Sequence, residues 1–290
     1  MLQHYEKKNH NFFYLYSKRI DMKILIIGGG NMGLTYAQAF VRSQITTKSD
    51  MMLLEKSPER AALLAQKDVG AIYSDPEDCI RRADLVILAV KPQDAQELFA
   101  RIRASIDPQQ VFLSIMAGVT IEAIRGGLGA HKVIRAMPNL PAQIGQGMTA
   151  FTSSEEVTRI ELVTVQNLLN TAGKTLYVER EAAIDAATAV SGSGPAYIFY
   201  FMDAMMQAAR SMGFSPSESE LLVTQTFQGA VELYLASNLS CQDWIQRVAS
   251  RGGTTEAALA KFGELGLNQG IAHGLDAALR RAEELGGKKG

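Results

Sequence analysis

Two regimes of apolar patterning divide this chain, changing over near Glu179. Before that point the apolar residues come in short unbroken runs: "KILII" from Lys23, "MMLLE" from Met51, "AIY" from Ala71, "DLVILAV" from Asp84, "VFLSIM" from Val111 and "KVIRAM" from Lys132. A strand covered on one face alternates apolar and polar residues, so unbroken runs of this length are expected where both faces are covered. Helical patterns separate the runs. Two begin with a capping side chain, a proline and an acid, Ser57-Pro58-Glu59 and Asp75-Pro76-Glu77, which suits the free N–H groups and positive end of a helix. Strand and helix alternating this often predict a doubly wound parallel sheet over residues 22–179.

Beyond Glu179 the pattern becomes helical, over Ala182–Val190, Ala196–Met212, Pro216–Ser237, Cys241–Ser250, Thr255–Leu265 and Asn268–Leu285. This predicts an all-α domain over 180–290. Ile198, Phe199, Phe201, Met202, Met205 and Met206 surround their helix rather than lining one side of it. A helix without a polar stripe must be buried all round, and so short a run of helices cannot enclose it, so a second copy of the chain is expected to cover it, giving a dimer at least. One helix is interrupted by "SGSGP", Ser191 to Pro195. Pro195 starts a new helix, while Gly192 and Gly194 remove side chains. Two accounts fit: a floor for a flat ligand, or a close helix crossing at the dimer interface.

Composition excludes several classes. The chain has 290 residues, 47% hydrophobic and 20% charged, with a formal net charge of -1 and no run of Lys or Arg longer than two. Nothing in it offers the basic face that nucleic acid requires. Its two cysteines, Cys79 and Cys241, lie far apart in segments that read as helical; neither a disulfide framework nor a metal knuckle is indicated, and a reducing cytoplasm fits. Residues 1–21 stand apart. Their apolar "FFYLY" is too short for a signal peptide or a membrane span, and "MKILIIGG" at Met22 looks like a natural start, so 1–21 reads as a dispensable extension. No other segment is apolar for long enough to cross a bilayer.

The first strand-to-helix turn carries the clearest chemistry. Gly28-x-Gly30-x-x-Gly33, with Asn31 and Met32 inside it, directly follows a strand and opens a helix. Gly28 permits the tight turn, Gly30 admits a pyrophosphate close to the backbone, Gly33 lets helix and strand pack closely, and the helix N-terminus offers unpaired N–H groups to phosphates. This is the Rossmann-type arrangement for NADH or NADPH. The choice between them is open. Glu55, ending the second strand, suits the ribose 2′-hydroxyl of NADH, whereas Lys56, Ser57 and Arg60 beside it could hold the 2′-phosphate of NADPH. Ligands bind at the carboxyl ends of parallel strands, so Ala89, Val90, Lys91 and Pro92 after the fourth, Ala117 and Gly118 after the fifth, and Asn139 after the sixth should line the same rim.

In the helical half, Gly252 and Gly253 precede Thr254, Thr255 and Glu256 at the expected start of a helix. Such a turn is either an ordinary helix start or a seat for a carboxylate, with threonine hydroxyls as extra donors. His131 and His273 read as structural, as do Trp244 and both cysteines.

"GGGNMG", "LAVKP", "AGVT", "IRAMPNLP", "SGSGPAY" and "GGTTEAAL", in this order, resemble the Δ1-pyrroline-5-carboxylate reductase family from Met22 to about Glu284. The resemblance implies reduction of pyrroline-5-carboxylate to L-proline, the last step of proline biosynthesis, by NADPH or NADH. It also implies an interlocking helical dimerisation domain, assembly as dimers or rings of dimers, and a site shared between subunits. Carried over by motif, Gly28 to Gly33, Ala89 to Pro92 and Ala117 to Gly118 would hold the nucleotide. Ser250, Gly252, Gly253, Thr254 and Thr255 would surround the substrate, with Asn139 nearby, and Thr255 would hydrogen-bond the ring nitrogen. An imine can arrive protonated and the hydride comes from the cofactor, so no catalytic histidine is needed. Two positions depart from the family: Arg251 replaces a proline in the substrate loop, and Leu140 replaces a threonine. The competing functions are another imine or β-hydroxyacid reductase, and a non-catalytic NAD(P)-sensing protein.

Overall fold

The computed structural model describes residues 22–287; the extension 1–21 lies outside them. Eight strands form one sheet: β1 (Ile24–Ile27), β2 (Met51–Leu54), β3 (Ala71–Tyr73), β4 (Leu85–Leu88), β5 (Val111–Ser114), β6 (Lys132–Met137), β7 (Gly147–Ser153) and β8 (Gly173–Tyr177), in the order β3-β2-β1-β4-β5-β6-β7-β8. Strands β1 to β6 are parallel, as expected from their unbroken apolar runs. The last two strands were not anticipated and extend the doubly wound parallel sheet: β7 pairs antiparallel with β6, and β8 parallel with β7. Neither carries an apolar run. "GMTAFTS" interrupts its apolar residues with Thr, and the edge strand "GKTLY" is largely exposed.

The doubly covered sheet explains why β1 is apolar throughout. Ile24 and Ile26 point into a core built with Tyr36, Ala37 and Phe40 of α1 (Asn31–Arg42), Leu64 of α2 (Pro58–Ala65), and Val165, Leu168 and Leu169 of α5 (Arg159–Asn170). Leu25 and Ile27 point to the opposite core, with Phe99 and Ile102 of α3 (Ala95–Ile102) and Ile124 and Leu128 of α4 (Ile121–Leu128). Each buried aliphatic side chain contributes about 1.5–3 kcal/mol, so a polar residue anywhere in β1 would disturb one core or the other. The Tyr36 hydroxyl and Thr149 Oγ1 lie 3.1 Å apart, tying α1 to β7, and burial pushes the Tyr36 phenol pKa well above its usual value.

Asp75 caps only a 3₁₀ turn, Pro76–Asp78, rather than a helix. Cys79 follows it, buried in the second core, where desolvation pushes its thiol up to about 11. Both cysteines are free.

The helical part comprises α6 (Ala182–Ala187), α7 (Gly194–Ser211), α8 (Pro216–Leu235), α9 (Cys241–Val248), α10 (Thr254–Glu264) and α11 (Leu267–Leu285). The expected break at Ser191–Pro195 is instead a π-helical turn, Thr188–Gly192, whose widened ladder ends with the Ser193 N–H donating to the Thr188 carbonyl at 2.9 Å. Proline at the second residue of α7 does no harm there, because first-turn N–H groups have no partner within the helix.

By packing, one compact unit runs through Ser193 and includes the chain again from Leu279, and Gly194–Ala278 form the other. Helix α6 therefore packs with the sheet, against β6 and β7, although a purely sequential boundary was expected at 179/180. Gly118 (φ +74°) shows the return of the chain in detail. A Cβ there would lie 2.7 Å from Leu285 Cβ, at the end of α11. In the second unit, α7, α9 and α10 have no buried residue, and Phe199, Tyr200, Leu221 and Val248 are each more than half exposed. Exposed apolar side chains in this number are what a protein interface would cover.

Candidate active site

Strand order reverses between β1 and β4, and a crevice for ligands is expected at the carboxyl ends of the strands on either side of that point. Gly28 occupies it with φ +103°. Its N–H donates to the Leu54 carbonyl at 3.0 Å, and a Cβ would lie 2.8 Å from the Ala89 carbonyl oxygen. The turn is thus wedged between the ends of β2 and β4. Gly33 is packed equally closely, since a Cβ would stand 2.1 Å from the Gly28 carbonyl oxygen. Gly30 is the opposite case, with nothing within 4 Å of its hypothetical Cβ. It forms the N-cap of α1 without any side-chain cap, and the first-turn residue Asn31 is exposed. Two packed glycines around one open glycine, at an uncapped helix start, fit a dinucleotide pyrophosphate approaching backbone amides.

Glu55 is not a surface acid. It is 6% exposed, and its two carboxylate oxygens accept from the Gly29 N–H and the Ser57 N–H, each at 3.0 Å. Lys56 beside it is exposed. Ala89 and Val90 are half-buried at the end of β4, Lys91 is exposed, and Pro92 opens a 3₁₀ turn leading into α3. Ala117 is half-buried after β5. Gly118, expected at the nucleotide rim, packs against Leu285.

Asn139 sits on the same rim with its amide already engaged. Nδ2 donates to the Ser191 carbonyl at 3.1 Å, and Oδ1 accepts from the Met148 N–H at 2.8 Å. It joins the loop after β6 to the start of β7 and to the π-helical turn. In that turn Gly192 lies where a Cβ would meet Met137 Cε at 2.8 Å. Asn139→Ala removes these part-buried bonds and is expected to destabilise the fold by about 0.5–1.5 kcal/mol, the net worth of a typical hydrogen bond, read as a lowered Tm.

A feature the sequence reading missed lies beneath this rim. Arg135 of β6 is 2% exposed and forms ion pairs with Asp185 at 2.6 Å and Glu181 at 3.0 Å. Glu181 also accepts the Ile121 N–H at 2.8 Å, at the first residue of α4. A charged residue inside an otherwise apolar strand run was the available signal, since a buried cation requires a partner.

In the second unit, the turn before α10 places Gly252 at φ +71° and Gly253 as N-cap without a side-chain cap. The Gly253 N–H donates to the Ser250 carbonyl at 2.9 Å, and a Cβ on Gly253 would collide with Ser250 Oγ. The Gly252 N–H donates to Glu256 Oε2 at 2.6 Å, so the turn already holds one carboxylate. Ser250, Arg251, Gly252 and Thr254 are exposed, and Gly253 and Thr255 partly so.

Comparisons with known proteins agree with this architecture. The profile "Pyrroline-5-carboxylate reductase dimerisation" matches residues 181–285, and "NADP oxidoreductase coenzyme F420-dependent" matches 23–118. The pyrroline-5-carboxylate reductase of Pseudomonas aeruginosa is 33% identical over 91% of this chain and 96% of its own length. Pyrroline-5-carboxylate reductase 2 of Bacillus subtilis is also 33% identical, over 91% and 95%. The solved pyrroline-5-carboxylate reductase of Coxiella burnetii superposes with a TM-score of 0.84 at 30% identity, covering 92% of this chain and 99% of that one. The Plasmodium falciparum pyrroline carboxylate reductase, solved with NADP bound, also gives 0.84, at 26% identity over 93% and 100%. Among the described residues no helix is long and apolar enough to cross a membrane. With a dimerisation domain following a nucleotide-binding sheet along the chain, the protein belongs to the pyrroline-5-carboxylate reductase family, the NAD(P)H-dependent enzymes that reduce pyrroline-5-carboxylate to proline.

Proposed function

We propose that the chain reduces pyrroline-5-carboxylate by dividing the work between two backbone seats. Gly28 to Gly33 hold the dinucleotide pyrophosphate, with Glu55, Lys56, Ala89 to Pro92 and Ala117 framing the rest of the nucleotide. The turn of Ser250, Gly252, Gly253, Thr254 and Thr255 receives the substrate carboxylate and ring, and Asn139 braces the rim. The observation that carries this reading is the pairing of closely packed Gly28 and Gly33 with open Gly30 at an uncapped helix start. NADH or NADPH, when bound, supplies the hydride that ends on C5 of the ring.

The residues of the chain then have two tasks. The amides at the start of α10 and the hydroxyl of Thr254 fix the carboxylate, and so the face that the ring presents. The Thr255 hydroxyl holds the ring nitrogen, which carries the proton that balances the hydride and leaves as the amine of proline. The copies associate through their apolar helices as dimers or rings of dimers in the cytoplasm, the turn of one copy serving the nucleotide crevice of another.

Thr255→Ala tests the assignment. Loss of one hydrogen bond to a charged group is worth about 1.5–3 kcal/mol, so kcat/KM for pyrroline-5-carboxylate should fall by roughly 10- to 100-fold. NAD(P)H affinity, measured by fluorescence titration, should be unchanged. Loss of cofactor binding with substrate kinetics intact would show that Thr255 serves the other half of the site.

A further inference from the structure

Glu55 directly follows β2. Its carboxylate is buried and fixed from two sides, by the Gly29 N–H in the phosphate-binding turn and by the Ser57 N–H at the start of α2. Its own N–H donates to the Tyr73 carbonyl of β3 at 3.0 Å. An ionised carboxylate offers about four acceptor positions; these two bonds fill two, leaving acceptors for hydroxyl donors. Of the groups that could receive a phosphate in the same place, the Ser57 hydroxyl is committed to its neighbours. Ser57 Oγ accepts from the Arg60 N–H at 3.3 Å and donates to Glu59 Oε2 at 2.8 Å. That bond holds the Glu59 carboxyl below the usual carboxylate range, so the segment carries a second anion. Its cations, Lys56 and Arg60, are both exposed to solvent.

We propose that Glu55 makes this enzyme select NADH over NADPH. The carboxylate receives the uncharged ribose hydroxyls and repels a 2′-phosphate, and its bond to Gly29 keeps it in register with the turn that receives the pyrophosphate. This rests on the nucleotide crevice proposed above and adds the identity of its preferred occupant. The selection has a structural corollary. Because the same carboxylate pins Gly29, a substitution there should weaken binding of any dinucleotide while changing the ratio between the two.

Two measurements on the full chain test it. The first is kcat/KM for each cofactor with pyrroline-5-carboxylate; at least a tenfold advantage for NADH is expected. The second is calorimetric titration with ADP-ribose and with 2′-phospho-ADP-ribose, where the unphosphorylated ligand should bind tighter by a similar factor. Glu55→Gln keeps the size of the side chain and removes its charge, so the ratio of the two affinities should narrow severalfold even though both ligands bind less tightly. Glu59→Gln, which leaves the Gly29 contact in place, should narrow it less. Equal or better binding of the 2′-phosphorylated ligand by the unaltered protein, or an unchanged ratio in Glu55→Gln, would overturn the proposal. The titrations need no turnover, so they decide on Glu55 even if the imine proves not to be the substrate.

Discussion

Gly33→Ala is expected to lower NAD(P)H affinity at least tenfold and to lower the Tm at the same time. The added methyl would sit 2.1 Å from the Gly28 carbonyl oxygen and 3.2 Å from Ile26 Cγ2. Gly28 cannot yield, being held by the Leu54 carbonyl on one side and closed in by the Ala89 backbone on the other. The start of α1 must move instead, carrying the first-turn amides away from the pyrophosphate. Overpacking of this kind costs about 1–3 kcal/mol, and about 1.4 kcal/mol is already tenfold in affinity. Gly30→Ala provides the contrast. Its methyl meets no protein atom within 4 Å, so the Tm should hold while nucleotide affinity falls, because the methyl enters the space left for phosphate. Thermal denaturation and nucleotide titration of the pair check this. Equal behaviour of the two variants would mean that packing and ligand access are not divided between these glycines.

Asp185→Ala should destabilise the protein by about 3–5 kcal/mol, the range for removing one partner of a buried ion pair. Asp185 and Arg135 are each 2% exposed. Without Asp185 the guanidinium keeps, among the described residues, its ion pair with Glu181, whose side chain is 30% exposed. A loss of this size is a large part of the roughly 5–15 kcal/mol that holds a typical domain folded, and urea denaturation would report it. Replacing both partners, Arg135→Met with Asp185→Leu, should be less damaging than Asp185→Ala alone, because no charge is then left buried. A double variant whose loss equals the sum of the two single losses would show that the pair is not coupled.

The legible parts of this fold were those where one physical demand dominates a stretch of sequence. Strands β1, β2, β4 and β5 are buried along their whole length, and a nearly unbroken apolar run is the simplest pattern that satisfies this. The glycine turn was legible because its three positions need three different freedoms, and the structure shows close packing at Gly28 and Gly33 and open space at Gly30. Strand β7 escaped notice because much of its burial is carried by Thr149, Ala150 and Thr152, which read as polar or neutral. The π-helical turn was read as a break because Gly192, Gly194 and Pro195 signal one locally, while the contacts that hold the widened turn come from Asn139 and Met137, distant in sequence. Local spacing also could not show that Asn139 is committed to bracing the rim, or that Glu55 grips Gly29. The Arg135 cluster brings together residues 46 and 50 positions apart, a separation at which pattern carries no information.

The return of the chain from Leu279 to the first unit has a consequence for how the protein is made. At about 5–20 residues per second, synthesis of the stretch between Ser193 and Leu279 takes on the order of 10 seconds, during which the sheet has emerged from the ribosome without its final helical segment. Gly118, positioned to receive Leu285, waits uncovered through that interval. The nucleotide-binding half is first to be translated and among the last to be completed, and a nascent chain stalled before Leu279 should be far more sensitive to protease near the β5–α4 turn than the released protein.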